Sequence, residues 1–199
     1  MYKDHMFLVN NLRNYASPRS RITRMIKSGE VIQLRRGIFL DAEDQQYSLK
    51  SLASIIYGPS YISFEYALAW YGLIPERVTI ITSAVYKKNK NRSFHTPVGD
   101  FYYYYLPAAV FPYGVKREEE NGQSYLIASP EKALLDTLYK VHGITSRKGI
   151  DDLLINDLRM DREKILSMDR EALFNIAPLY RKKTIMLFQE WFKREVPDA

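Results

Sequence analysis

Residues 17–40, S-P-R-S-R-I-T-R-M-I-K-S-G-E-V-I-Q-L-R-R-G-I-F-L, carry start, stop and turn signals in an order that leaves few local folds open. Ser17 is a natural N-cap, and Pro18 falls at the first helical position, where a missing N–H costs nothing. Gly29 stands where a glycine ends a helix. Between them Ile22, Met25 and Ile26 share one helical face. Arg19, Ser20, Thr23, Arg24 and Lys27 occupy the remainder, with Arg21 flanking them. Val31, Ile32 and Leu34, then Ile38, Phe39 and Leu40, form two short strand-like runs, with Arg35-Arg36-Gly37 as the tight turn between them. Ahead of Ser17, His5 to Tyr15 places Phe7, Leu8, Leu12 and Tyr15 at helical spacing, which is room for one helix.

This segment also holds the charge. Up to Leu40 there are eight basic side chains against two acidic ones (Asp4 and Glu30), which accounts for the entire formal net charge of +6. The remainder balances, 21 basic against 21 acidic. A localised positive face attracts a polyanion better than the same charge spread evenly, and phosphate neutralisation supplies most non-specific nucleic-acid affinity. Arginine pairs with guanine edges or phosphates, and short hydroxyls reach phosphate oxygens. A basic helix followed by a hairpin with arginines at its tip is the layout of a winged helix-turn-helix. The alternative is a solvated basic helix packed on a hairpin.

The body reads as mixed α and β. The polar stretch 41–46 is the best linker. Helices are expected over Tyr47–Tyr57 and from a Ser63 cap to Gly72, and a buried strand from Val78. Lys87–Arg92 is a basic loop, a solvated turn or a second phosphate contact. Ser93–Thr96 and Phe101–Leu106 form a hairpin in which the tyrosine string 102–105 presents two rings to each sheet face. K-R-E-E-E-N-G is read as a charged turn before a strand at S-Y-L-I-A. Ser129 and Pro130 start a helix that Gly143 closes, with Asp136 paired on its surface to Lys132 and Lys140 at i±4. From Thr145 onward the chain reads as helical. Asp161 and Asp169 serve as N-caps, and a last helix starts at Pro178 with an aromatic stripe that docks on the body or on a partner.

Several classes are excluded or left without support. The chain has no cysteine, so disulfides and thiolate metal sites are excluded, and a cytoplasmic place is expected. No apolar run approaches a signal peptide or a membrane span. His5, His95 and His142 form no metal-ligand spacing, Asp151-Asp152 lacks a third ligand, and no phosphate-loop motif is present. No acid–base pair is nominated for catalysis.

The run from Ser20 to Leu40 resembles the recognition helix and wing of the AbiEi-family antitoxin N-terminal domain. Gly29, Val31 or Ile32, Leu34, Arg36, Gly37 and Phe39 match its pattern. I-A-S-P-E-K-A-L-L-D and Y-I-S-F-E-Y-A-L-A-W-Y-G-L-I-P are similar to two motifs of that family's effector domain, with Tyr66 where a serine is common. Family members usually carry two helices ahead of the recognition helix, whereas this chain has room for one. The DNA-binding unit is therefore expected to be truncated or completed by a partner subunit. The resemblance implies an α+β protein with a winged-helix-type unit over residues 1–42, an α/β effector domain over 47–143 and a helical extension over 144–199. It implies an antitoxin of a type IV toxin–antitoxin (abortive infection) system that represses its own operon, with no catalytic residues, cofactor or metal. Its partners would be double-stranded operator DNA, a nucleotidyltransferase-like toxin and a second copy as homodimer, with no membrane. DNA contact falls on Arg19, Ser20, Arg21, Thr23, Arg24 and Lys27 of the helix and on Arg35 and Arg36 of the wing. Two other classes stay open: a protein-interaction module that has lost DNA binding, and an enzyme acting on nucleotides.

Overall fold

In the computed structural model the described residues are 2–44 and 46–196; Gln45 of the linker candidate and the last three residues of the helical extension lie outside them. Ahead of the first helix stands a strand that no pattern in the sequence announces, β1 (Tyr2–Asp4), followed by α1 (His5–Asn11). Asp4 ends the strand and caps the helix, its carboxylate accepting from the Phe7 N–H at 2.7 Å. α2 (Pro18–Lys27) has the expected bounds, with Pro18 at its first position and Gly29 in the left-handed region just past its end, but Ser17 makes no capping bond: its hydroxyl donates to Ser20 Oγ at 2.9 Å. The hairpin β2 (Val31–Arg35) and β3 (Ile38–Asp41) turns at Arg36-Gly37. β3 lies between β1 and β2, all antiparallel.

The two faces of this small sheet serve different cores. Leu8, Ile22, Val31 and Phe39 form a minor core beneath α1 and α2. Leu34 and Leu40 point the other way, into the main core. That minor core is slim. Phe7 and Tyr15, placed in the apolar stripe by their spacing, are about half exposed.

The main sheet has the order β6-β7-β5-β4-β9-β8. At its centre β4 (Ser60–Ile62) runs antiparallel to β5 (Ile81–Val85) and parallel to β9 (Gln123–Ala128). β7 (Gly99–Tyr105) is parallel to β5, and β6 (Arg92–Thr96) closes that side as a hairpin. On the far edge β8 (Val115–Glu120) pairs with β9. The protein is therefore α+β, with a mixed six-stranded sheet, a three-stranded sheet and helices on both faces of the larger one.

α3 (Leu49–Ile56) covers one face, where the Tyr103 hydroxyl donates to the Ala53 carbonyl at 2.7 Å. α4 (Phe64–Trp70) and α5 (Pro130–Lys140) cover the other, where Tyr104 meets Phe64 edge-on. Alternate tyrosines of the string thus face opposite layers. The helical extension follows: α6 (Arg147–Asp152) passing into a π-helical turn (Leu153–Asp157), then α7 (Arg162–Leu166), α8 (Arg170–Ile176) and α9 (Lys183–Glu195). Asp161 and Asp169 cap α7 and α8 through their carboxylates. Pro178 lies in a 3-10 turn instead of starting the last helix. The stripe of α9 docks on the body, with Ile185, Phe188, Trp191 and Phe192 buried and Met186 left outside.

Other expectations are corrected. The charged run K-R-E-E-E is a strand, not a turn; an edge strand has a solvated side and keeps its charges, so no apolar run announces it. Its true turn is Asn121-Gly122, both residues at positive φ, the pairing that a two-residue hairpin favours. The strand placed from Val78 begins at Ile81. α5 ends at Lys140, three residues before Gly143.

Asp136 departs furthest from its expected place. It is not on the surface: α5 is buried nearly all round, and Asp136 and Lys132 are both fully buried. Asp136 accepts from Lys132 Nζ (2.5 Å), Ser63 Oγ (2.6 Å), Tyr61 Oη (3.0 Å) and Tyr180 Oη. Lys140 instead reaches Glu65 at 3.1 Å. Ser63 sits at the N-cap position of α4, but its hydroxyl goes to Asp136 and makes no capping bond.

Candidate nucleic-acid interface

A groove of about 910 Å³ opens between α2 and the tip of the β2–β3 hairpin. Arg19, Thr23 and Lys27 recur every fourth residue, so they form one row along α2 and line one wall, with Ile22 and Ile26 beneath. Arg36 and Gly37 at the hairpin tip, with Gln33 and Phe39, form the other. His5 closes the end. Its backbone N–H donates to the Gly37 carbonyl at 2.9 Å, which ties the hairpin tip to the start of α1.

The eight residues picked out from sequence therefore separate. Arg19, Thr23, Lys27 and Arg36 share the groove. Ser20 and Arg24 are exposed one row round the helix, and the Ser20 hydroxyl accepts from Ser17 Oγ at 2.9 Å. Arg21 is occupied: its guanidinium donates to Glu30 at 2.8 Å and lies 5.9 Å from the Tyr15 ring centroid. Arg35 ends β2 past a register shift and its charge acts on the Tyr103 hydroxyl, in the main body. The groove also holds Gln33 and His5, which the basic pattern of the sequence does not mark. Alternation along β2 puts Gln33 on the same side as Val31, under α2, and that signal was available. His5 enters the groove only because β1 delivers α1 to the hairpin tip.

No acidic residue lines the groove. The nearest acid in sequence, Glu30, is held by Arg21 and by Ser28 Oγ at 2.7 Å. Three cations therefore face one cleft without an acidic partner among the described residues. The arrangement suits a row of phosphates, and Gln33 adds an amide able to pair with an adenine edge.

The buried centre around Asp136 is the other concentration of chemistry-bearing groups. Burial pushes the Lys132 ammonium pKa down against the pull of Asp136, and pushes the Tyr61 and Tyr180 hydroxyls well above their ordinary range. Gly114 seals it: a Cβ there would stand 2.9 Å from Lys132 Cβ. Every partner of this centre is internal, so it holds α5 to β4 and the helical extension.

Among the described residues no group of three His, Cys, Asp or Glu is placed to hold a metal ion. Asp151 is taken up by Arg162 at 2.5 Å and by the Trp191 indole N–H at 2.9 Å. In the described residues no helix is long and apolar enough to cross a membrane. No protein-family model matches the chain, and no curated protein matches it.

Proposed function

We propose that this chain is a DNA-binding autorepressor and the antitoxin of a type IV toxin–antitoxin system, acting in the cytoplasm against a nucleotidyltransferase-like toxin. The observation that carries DNA binding is the acid-free groove in which Arg19, Lys27 and Arg36 converge on one cleft between α2 and a hairpin tip. In this reading α2 is the recognition helix and Arg36 the wing. The winged-helix reading is supported by the antiparallel hairpin directly after α2 and by the tie between Gly37 and His5. Phosphates would lie along the row of Arg19, Thr23 and Lys27, with Arg36 on the neighbouring strand and Gln33 facing base edges. Operator repeats would take one copy each. The toxin partner rests on the two effector-domain motifs alone; their Tyr61, Ser63, Lys132 and Asp136 meet in the buried centre and hold α5 to β4.

The test is fluorescence anisotropy of the promoter duplex upstream of its own gene over a salt series. Native protein should bind, with log affinity falling linearly in log salt. Arg19→Ala/Lys27→Ala/Arg36→Ala should bind at least tenfold more weakly, with a slope shallower by about one per phosphate contact removed. No binding at low salt, or an unchanged triple variant, refutes the repressor reading. Co-expression with a neighbouring nucleotidyltransferase-like gene should restore growth; failure to do so refutes the antitoxin reading.

A further inference from the structure

A second cationic site lies far along the chain from the α2 groove, at the carboxyl ends of the parallel strands β5 and β7. There a cleft of about 220 Å³ is lined by Asn91, Tyr104, Tyr105, Lys140, His142 and Lys182, with Tyr139 beside them. The loop before β6 brings Asn91, the end of β7 brings the tyrosines, the end of α5 brings Lys140, and the start of α9 brings Lys182. In open α/β sheets, ligands bind outside the carboxyl ends of parallel strands.

Three features give the cleft its chemistry. Lys182 Nζ stands 3.3 Å from His142 Nδ1 and has no acidic partner among the described residues. Lys140 lies 3.7 Å over the Tyr104 ring and shares its charge with Glu65. Asn91 uses its amide oxygen to accept from the Tyr105 N–H at 3.2 Å, which leaves its amide N–H groups to donate outward. Tyr105 itself is 44% exposed at the mouth. α9 adds to the field: Arg181, Lys182 and Lys183 precede or open it, and no acid sits in its first turn, although cations at that end oppose the helix dipole.

We infer that this cleft binds the phosphate end of a nucleotide, with Lys182, His142 and Asn91 on the phosphoryl oxygens and Tyr105 stacked on the base. The cleft is smaller than the roughly 300–1,000 Å³ of clefts that enclose drug-sized ligands, so only the phosphate end enters and the base stays at the mouth. Cations beside an exposed aromatic ring are how proteins hold nucleotides without reading sequence. The ligand is a free nucleotide or the 5′ end of a strand. The site is independent of the operator-binding reading, because none of its residues lines the α2 groove.

Calorimetric titration of the full chain with ATP, with inorganic phosphate and with a 5′-phosphorylated four-nucleotide oligothymidylate tests it. At least one of the two nucleotide probes should bind more tightly than inorganic phosphate. That affinity should fall at least tenfold in Lys182→Ala and in Tyr105→Ala, both checked for native melting, and stay unchanged in Arg19→Ala/Arg36→Ala. Tighter ATP binding assigns a free nucleotide; tighter oligonucleotide binding assigns a strand end. No binding of any probe at millimolar concentration overturns the inference. So does binding that survives Lys182→Glu, or that is lost in Arg19→Ala/Arg36→Ala.

Discussion

Asp136 and Lys132 are one helical turn apart, and what that pair does depends on what covers it. On a solvated helix it would be worth a few tenths of a kcal/mol. Here both groups are fully buried, and three hydroxyls from β4, the start of α4 and the 3-10 turn before α9 complete their hydrogen bonds. Removing one partner leaves a buried charge uncompensated, so Lys132→Met should lower the unfolding free energy by about 3–5 kcal/mol in urea titration. Lys132→Met/Asp136→Leu should recover only part of this loss, because Tyr61, Ser63 and Tyr180 then lack their acceptor. Gly114 belongs to the same site. Its φ of +63° and the 2.9 Å approach to Lys132 Cβ make Gly114→Ala destabilising by about 1–3 kcal/mol, measured the same way.

Among the elements, α2 was legible because its signals are local. Pro18 and Gly29 act within a few residues of themselves, and so do the caps Asp161, Asp169 and Ser129. β1, β4 and β8 were not legible. β1 and β4 are three residues long and acquire their identity only from neighbours in the sheet, while β8 is charged along an edge. β8 also anchors α3. Burial pushes the Glu120 carboxyl up, but the Lys50 ammonium and the Ser48 hydroxyl outweigh it and hold its pKa below the ordinary 4.5. A carboxylate with a depressed folded pKa stabilises above its unfolded pKa and loses that contribution as pH falls through the folded one. Glu120→Gln should therefore reduce stability at neutral pH and flatten its decline below about pH 4.5, read from thermal melts across pH. The effect will be modest, since the carboxylate is partly solvated.

At the scale of the whole molecule, the three-stranded sheet is shared property. One face supports α1 and α2, and the other sends Leu34 and Leu40 into the main core. A minor core of four buried side chains is too small to hold the N-terminal unit by itself. Leu40→Ala should cost about 2–5 kcal/mol, and far-ultraviolet and tyrosine-region signals should still report one coincident transition. Separate transitions would show that the unit folds on its own. The same sheet sets the layout of the groove: His5 follows β1, which is bonded to β3, Arg36 lies at the β2–β3 turn, and α2 packs over the minor core.

The concentration of charge, the α2-turn-hairpin order, most helix starts and the mixed α and β character are legible along the chain. Each depends on residues close in the chain or on simple counts. Packing between distant segments sets which cations share a cleft, spends Arg21 on Glu30, brings Lys182 to His142 and buries Asp136. A side chain's partners and its share of water are set by segments distant in sequence, and periodicity along one element carries no record of what packs against it.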